Sequence, residues 1–199
     1  MMFQIITVLM MLAFYGCYFT KMISQKKKGI QTDQMGKGKK GFPKLIEIVV
    51  KKTAIAVFIT EAISIYFNTS YLPRWARYIG IVLAALGDIL FICSIFTMRD
   101  SWRAGVPADK TELVTEGIYQ ISRNPAFLGF DLVYIGVAMV FFNPILCAVS
   151  AFAVLMFHLQ IVNVEEDFLI ATFGERYLEY QRRVNRYFGR RLSGKRQVF

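Results

Sequence analysis

Two apolar runs separated by one turn signal constrain this 199-residue chain more than any other feature. They occupy residues 125–142 and 144–163, and Asn143-Pro144 lies between them. Because Asn-Pro favours a turn, the runs are predicted to be the two helices of a hairpin. Each helix would be about 27–30 Å long at 1.5 Å per residue, which is close to the thickness of a bilayer core. The sequence therefore predicts an integral membrane protein.

The open end of this hairpin carries two polar segments. Residues 113–129 lead into the first run, and Glu165-Glu166 follows the second. Asn124 and Glu165 are almost equally far from the turn, so an antiparallel hairpin places Arg123-Asn124 beside Glu165-Glu166. We therefore predict a site made from both ends of one hairpin, at one face of the membrane.

The composition agrees with a membrane protein and excludes several other classes. Hydrophobic residues make up 55% of the chain, which is too many for an ordinary soluble domain of this length. One histidine and three scattered cysteines argue against a zinc site. The predicted fold is all-α: one polytopic membrane domain of about five transmembrane helices with a helix 4–5 hairpin and a C-terminal cytoplasmic amphipathic helix.

The predicted transmembrane helices occupy residues 1–20, 45–67, 77–98, 125–142 and 144–163. A basic cytoplasmic loop, 21–44, joins the first two helices, and a cytoplasmic loop for cofactor and substrate spans 99–124. A cytoplasmic helix and basic tail follow over 164–199. The first run has no basic segment before it and no small-residue cleavage site, so we interpret it as a membrane helix rather than a signal peptide.

The distribution of positive charge predicts the orientation. The net charge is +10, and residues 21–44 hold eight lysines but one aspartate. Nucleic-acid binding could account for such a segment, yet its place between two membrane helices favours a flexible cytoplasmic loop. We predict an external N-terminus, a cytoplasmic C-terminus and active site, a membrane as partner, and no nucleic acid.

Several residues within the predicted helices bear on packing. Gly80, Ala84 and Gly87 share one helix face, which predicts the close approach of another helix. Asp131 and His158 are costly inside a membrane, and they would either line a cavity or join helices. A further apolar face, predicted to lie on a membrane or to cap the bundle, consists of Leu169, Phe173, Tyr177, Tyr180 and Val184.

The residues at the predicted site suit a polar ligand with a planar part. Carboxylates of Glu165 and Glu166 can accept hydrogen bonds from a ribose or an amino group, although acids at a helix end are often only solvated. Gly117 and Gly129 would let a ligand approach the backbone. Tyr119 and Phe127 would provide aromatic walls for a base or a sulfonium.

Two motifs resemble the membrane methyltransferases, which include the isoprenylcysteine carboxyl methyltransferases and the phospholipid N-methyltransferases. They are G-I-Y-Q-I-S-R-N-P-A-F-L-G, from residue 117, and E-E-D-F-L-I-A-T-F-G-E-R-Y-L-E-Y, from residue 165. The resemblance covers residues 77–189 and implies that S-adenosylmethionine binds at the cytoplasmic side. The matching positions are Thr111, Glu112, Leu113, Val114, Tyr119, Asn124, Pro125, Ala126, Phe127 and Glu165.

The complete set of predicted cofactor-binding residues adds Gly117, Arg123, Gly129 and Glu166 to these matches. Trp102 and Arg103, in the segment S-W-R-A-G, are the candidates for the substrate side of the reaction. The predicted activity is methyl transfer from S-adenosylmethionine to a lipophilic acceptor that enters from the membrane. The alternatives are an NADPH-dependent reductase of the sterol-reductase type and a non-enzymatic bundle that binds lipid or a partner.

Three positions depart from the pattern of the resembled enzymes. Asn124 stands where a histidine is familiar, and Phe127 stands in place of a tyrosine. The prenylcysteine enzymes carry an arginine four residues before the first matched glutamate, and Ile161 occupies that place here. Because Ile161 cannot neutralise a carboxylate, we predict poor methylation of prenylcysteine. A neutral or amine-bearing lipophilic acceptor, or a small lipophilic thiol, fits better.

Overall fold

The computed structural model describes residues 1–106 and 111–190, and within these residues the regular structure is helical apart from two isolated β-bridges. The α-helices are α1 (Met2–Lys27), α2 (Gly41–Phe67), α3 (Arg74–Met98), α4 (Pro125–Val140), α5 (Pro144–Gln160), α6 (Glu166–Phe173) and α7 (Glu175–Arg183). A π-helical turn, Ile161–Glu165, connects α5 to α6.

Three helical stretches are long and apolar enough to cross a membrane: Met2–Lys27, Arg74–Ser101 and Pro144–Phe173. Helix α4 is also apolar but has only 16 residues. These helices agree with the predicted membrane protein. The number of five spans and the orientation of the termini remain predictions.

Helices α3 and α4 pack with their backbones nearly in contact. A Cβ atom added at Gly80 would lie 2.6 Å from the Gly136 carbonyl oxygen, and one at Gly87 would lie 2.7 Å from the Gly129 carbonyl oxygen. The small-residue face predicted on α3 is therefore confirmed. Because α3 fills the space beside Gly129, the prediction that this glycine admits a ligand is wrong.

The turn between α4 and α5 is held by the side chain of Asn143. Its Oδ1 atom accepts a hydrogen bond from the Leu146 amide at 3.0 Å and so caps α5. Its Nδ2 atom donates to Ser64 Oγ at 2.9 Å and to Thr69 Oγ1 at 3.2 Å. The hairpin turn is thus tied to the end of α2, and α5 packs more extensively on α2 than on α4.

The basic loop is docked rather than free, because its backbone pairs with the segment after α3. The Gln34 amide donates to the Ala104 carbonyl at 2.9 Å, and the Ala104 amide donates to the Thr32 carbonyl at 3.0 Å. Gln25, in a continuation of α1 beyond the predicted end, donates to the Trp102 carbonyl at 2.9 Å. The prediction of a flexible loop is wrong for this part of the chain.

A buried carboxylate fixes the same docking from α2. Glu47 is fully buried, and it accepts hydrogen bonds from the Gly36 amide at 2.6 Å and the Val106 amide at 3.3 Å. Lys39 forms an ion pair with the same carboxylate. The basic loop is thereby packed against α2 and against the segment that contains the predicted substrate residues.

The C-terminal helices cover the loop that precedes α4. The chain bends at Gly174, whose φ of 55° lies in the left-handed region. Tyr177 and Tyr180 then pack in one cluster with Leu113, Val114 and Tyr119. These contacts agree with the bundle-capping interpretation of this apolar face. Backbone hydrogen bonds join residues 185–190 to residues 121–123. The Gly189 amide donates to the Ile121 carbonyl at 2.7 Å, and the Arg123 amide donates to the Asn185 carbonyl at 3.1 Å.

Candidate functional site

A small cavity of about 120 Å³, lined by apolar side chains together with several charged and polar ones, lies where α4 begins and α5 gives way to α6. Asn124 and Glu165, from the two ends of the predicted hairpin, both line it. We call it the polar cavity. The predicted site residues that line it are Trp102, Arg103, Thr111, Glu112, Leu113, Val114, Tyr119, Arg123, Asn124, Ala126, Phe127 and Glu165.

Three other predicted site residues do not line this cavity and instead shape the backbone or the helix packing. Gly117 adopts a φ of 56° in a tight turn, and a Cβ atom there would lie 3.0 Å from the Thr97 side chain. Pro125 is the first residue of α4, where a missing backbone N–H leaves no helical hydrogen bond unmade. Gly129 faces α3, as described above.

Glu166 is an anchor and does not line the polar cavity. Its Oε1 atom lies 2.9 Å from Arg123 Nη1, and its Oε2 atom accepts from Arg186 Nη2 at 2.8 Å. The hydrogen bond from Arg186 to Glu166 raises the pKa of the Arg186 guanidinium above its usual value. Since both carboxylate oxygens are used by arginines, the prediction that Glu166 binds cofactor is corrected to a structural role.

Glu165 differs from its neighbour, because only one of its carboxylate oxygens is used. Gln160 Nε2 donates to Glu165 Oε1 at 3.1 Å across the π-helical turn, a type of turn that is frequent at functional sites. The second oxygen of Glu165 has no hydrogen-bond partner among the described residues. The sequence analysis did not identify Gln160 as a partner of Glu165. The available signal was a single glutamine at the end of a largely apolar helix.

Aromatic side chains form the walls of the polar cavity. Tyr119 is 6% exposed, and burial raises the pKa of its hydroxyl, so it remains a neutral donor at physiological pH. The backbone of this residue is fixed by Tyr180, whose hydroxyl donates to the Tyr119 carbonyl at 2.5 Å. Phe127 lies at the first turn of α4 and packs edge-on against Phe157, with 5.5 Å between ring centroids.

A larger, apolar cavity of about 390 Å³ lies next to the polar one, between α1, α2, α4 and α5. This volume is in the range of small-molecule sites. Tyr18 and Phe19 of α1 line it with Ile55 and Phe58 of α2. We call it the apolar cavity. Sequence reasoning treated the first two helices as generic membrane spans and so missed their contribution.

The two cavities meet at a shared boundary, which we call the junction. The five residues that line both are Trp102, Arg103, Gly105, Ala126 and Phe127. Trp102 is only 4% exposed and packs edge-on against Tyr18 and Phe91, so it is not an anchor at the membrane surface. Both residues predicted for the substrate side therefore lie between the two spaces.

The other candidates raised by the sequence lie outside these cavities. His158 Nδ1 is 2.6 Å from the Tyr187 hydroxyl, which joins α5 to the C-terminal segment. Asp131 is buried in α4 and lines neither cavity. Ile161 is fully buried and lines neither cavity either.

Comparison with known proteins agrees with the motifs. A profile of the phospholipid methyltransferase family matches residues 75–176, slightly more than half of the chain. The chain therefore belongs to this family, and the resemblance drawn from the sequence is confirmed. The matched region contains every residue of the junction and the hairpin.

Several curated relatives are prenylcysteine enzymes. Protein-S-isoprenylcysteine O-methyltransferase B of Arabidopsis thaliana is 34% identical over 113 residues, covering 55% of this chain and 57% of that protein. The human protein-S-isoprenylcysteine O-methyltransferase is 35% identical over 114 residues, covering 55% of this chain and 40% of that protein. The chain spans about half the length of the curated relatives it matches.

A solved structure of a eukaryotic intramembrane Ras methyltransferase, the isoprenylcysteine carboxyl methyltransferase, is similar in fold. The TM-score is 0.55 at 27% sequence identity, and the match covers 67% of this chain and 50% of that chain. The likeness supports a helical membrane architecture.

Proposed function

We propose that this protein transfers a methyl group from S-adenosylmethionine to a lipophilic acceptor that enters from the membrane. The observation that carries the proposal is the junction, where a polar cavity and an apolar cavity share five lining residues. A water-soluble cofactor and a lipophilic acceptor would meet there. Family membership and the methyltransferase relatives favour this activity over the reductase and the non-enzymatic alternatives.

The residues of the polar cavity fit this cofactor in chemistry. The second oxygen of Glu165 is placed to accept hydrogen bonds from a ribose or an amino group. Arg123 lines the cavity, and its Nε atom is buried without a hydrogen-bond partner among the described residues, so a polar ligand would satisfy it. Tyr119 and Phe127 offer aromatic faces to a base and to a sulfonium.

Cofactor binding also requires the polar cavity to widen. Its volume of about 120 Å³ is below the roughly 300 Å³ at which small-molecule pockets begin. Glu112 lies on its exposed rim, and the loop at Leu113 and Val114 is held by side-chain packing against Tyr177 and Tyr180. We therefore propose that this loop and the C-terminal helices move apart when cofactor enters.

Methyl transfer from a sulfonium mainly requires that the protein position the two reactants and exclude water. Bound S-adenosylmethionine supplies an electrophilic methyl group on a sulfonium. Trp102 and Phe127 exclude water from the junction, and the docked segment at Gly105 closes it from the loop side. In-line positioning and exclusion of water supply most of the rate for such a transfer. Arg103 lies at the boundary, where it would orient the polar end of the acceptor.

Binding by calorimetry on detergent-purified protein tests the proposal. S-adenosylmethionine and NADPH are titrated separately into the same preparation. Saturable heat with S-adenosylmethionine and none with NADPH is expected. Binding of NADPH alone would favour a reductase, and binding of neither would favour a bundle without this enzymatic role.

A further inference from the structure

A third cavity, of about 490 Å³, lies at the end of the bundle opposite the junction, where α1 begins, α2 ends and α3 begins. We call it the arginine cavity, after two of the residues that line it. Its lining includes Phe3, Asn68, Arg74, Arg77 and Tyr78. Arg77 also faces Phe141, which directly follows α4, whereas Phe127 of the junction is in the first turn of that helix. These two positions lie about 20 Å apart along α4 at 1.5 Å per residue.

Among the described residues, the charged side chains that line this cavity are those of Arg74 and Arg77. They are three residues apart on α3, so they are neighbours on one helix face. Neither forms an ion pair with an acidic residue in the part of the chain that the structure describes. The sequence has no acidic residue between Glu61 and Asp88. Because two like charges without a counter-ion repel each other, a bound anion would stabilise this arrangement.

The guanidinium of Arg77 is held in one orientation by its neighbours. Its Nη2 atom donates to Asn68 Oδ1 at 2.8 Å, and its Cζ atom lies 4.1 Å from the centroid of the Phe3 ring. Arg74, beside it, is exposed. Guanidinium groups match the geometry of phosphate oxygens, and one that is already oriented loses little freedom when it binds. The pair therefore suits a phosphate group that enters from the exposed side.

Aromatic residues around the arginine cavity indicate its depth in the membrane. Tyr71, Trp75 and Tyr78 have exposed side chains at this end of the bundle. Tyrosine and tryptophan are enriched at the membrane–water interface, where their rings lie at the level of the lipid head groups. The phosphate groups of phospholipids lie at the same level. The cavity thus opens where a lipid phosphate is available at high local concentration.

We infer that the arginine cavity binds the phosphate group of an anionic phospholipid. A phosphate placed between Arg74 and Arg77 neutralises both charges and joins the start of α3 to the lipid. An anionic head group is preferred over a choline head group, because the described lining has no acidic side chain to pair with a quaternary ammonium. The site lies apart from the junction, so it does not depend on the proposed methyl transfer.

The test uses two short-chain phospholipids with identical acyl chains, phosphatidylglycerol and phosphatidylcholine. Protein purified in an uncharged detergent is titrated with each, and native mass spectrometry counts the lipid that remains bound. The measured quantity is the ratio of the dissociation constants for the first bound lipid, and phosphatidylglycerol is expected to bind more tightly. Because both lipids meet the same micelles in every variant, partitioning cancels when the ratios are compared.

Arg74→Gln is expected to reduce the preference for phosphatidylglycerol about five- to tenfold, the scale of one hydrogen bond at a partly exposed site. This side chain is exposed and forms no ion pair with a described residue, so the variant should fold. Arg77→Lys keeps the charge but removes the planar group, and a smaller preference is again expected. Arg176→Gln is the control, since it removes the same charge from an exposed position on α7, at the other end of the bundle.

The preference is expected to persist in Arg176→Gln. An unchanged ratio in folded Arg74→Gln, or an equal reduction in Arg176→Gln, would overturn the site. Inorganic phosphate is titrated separately, with the thermal midpoint as the readout, and no saturable stabilisation is expected. Stabilisation by phosphate that requires Arg74, without a preference between the two lipids, would replace the lipid by a soluble anion. Neither assay contains cofactor or acceptor, so the result is independent of the proposed activity.

Discussion

Arg123 and Glu166 form a buried ion pair, with 2.9 Å between Nη1 and Oε1, that joins the start of α4 to the start of α6. Arg123 Nη1 also donates to the Tyr177 hydroxyl at 3.0 Å. One guanidinium thus connects α4, α6 and α7 around the polar cavity. The proposed cofactor site is therefore held in shape by a pair of residues of which only the arginine lines it.

Glu166→Gln is expected to lower stability by about 3–5 kcal/mol, since it leaves Arg123 without its buried counter-charge. The measurement is the thermal midpoint in detergent. Glu175→Gln is the control, because its pair with Arg182 is exposed and worth little. Equal midpoints for the two variants would contradict the anchoring role.

Glu165→Gln is expected to weaken S-adenosylmethionine binding by about 1.5–3 kcal/mol, the scale of a hydrogen bond to a charged group. Calorimetry measures the affinity, and thermal unfolding checks that the variant is folded. Asp167→Asn removes the same charge from an exposed neighbouring position and should leave the affinity unchanged. Unchanged affinity in folded Glu165→Gln would remove Glu165 from the site.

Gly129→Ala is expected to destabilise the protein by about 1–3 kcal/mol, because the new Cβ atom would lie 2.9 Å from the Gly87 carbonyl oxygen. Gly16→Ala is the control, since nothing lies within 4 Å of a Cβ atom at that position. The remaining folded protein should bind cofactor normally. A variant with normal stability and lost cofactor binding would restore the ligand role that the sequence suggested.

Poor methylation of a prenylcysteine carboxylate is expected. Ile161 stands where the prenylcysteine enzymes carry an arginine, and an isoleucine cannot neutralise that charge. The measurement is transfer of a labelled methyl group from S-adenosylmethionine to N-acetyl-farnesylcysteine, beside a panel of lipid extracts. Incorporation into a lipid fraction alone would support this expectation. Rapid, saturable methylation of the prenylcysteine would defeat it and would imply that Arg103 replaces the missing arginine.

An external N-terminus and a cytoplasmic basic loop are expected from the positive-inside bias. Cysteines are introduced singly at Ser24 and Tyr71, both exposed, after Cys17, Cys93 and Cys147 have been replaced. An impermeant reagent added to intact cells should label the cysteine at position 71 and leave the one at position 24 unlabelled. The reverse pattern would contradict the proposed orientation.

Sequence patterns alone were enough to predict the membrane character, the turn at Asn143-Pro144, and the position of Asn124 and Glu165 at one cavity. These follow from hydropathy and from helical rise, which are local properties of the chain. The α3 face of Gly80, Ala84 and Gly87 was predictable for the same reason, since small residues at helical spacing imply close packing.

The different roles of adjacent or similar residues depend on long-range packing, which local sequence patterns do not show. Glu165 lines the polar cavity and Glu166 does not, because Glu166 forms ion pairs with Arg123 and Arg186. These arginines are 43 and 20 positions away in the chain, so their contact with Glu166 depends on the fold. The basic loop is docked because Glu47 and Ala104 offer acceptors that no local pattern reveals. The apolar cavity exists because four helices leave a gap between them, and such a gap belongs to packing rather than to any one segment.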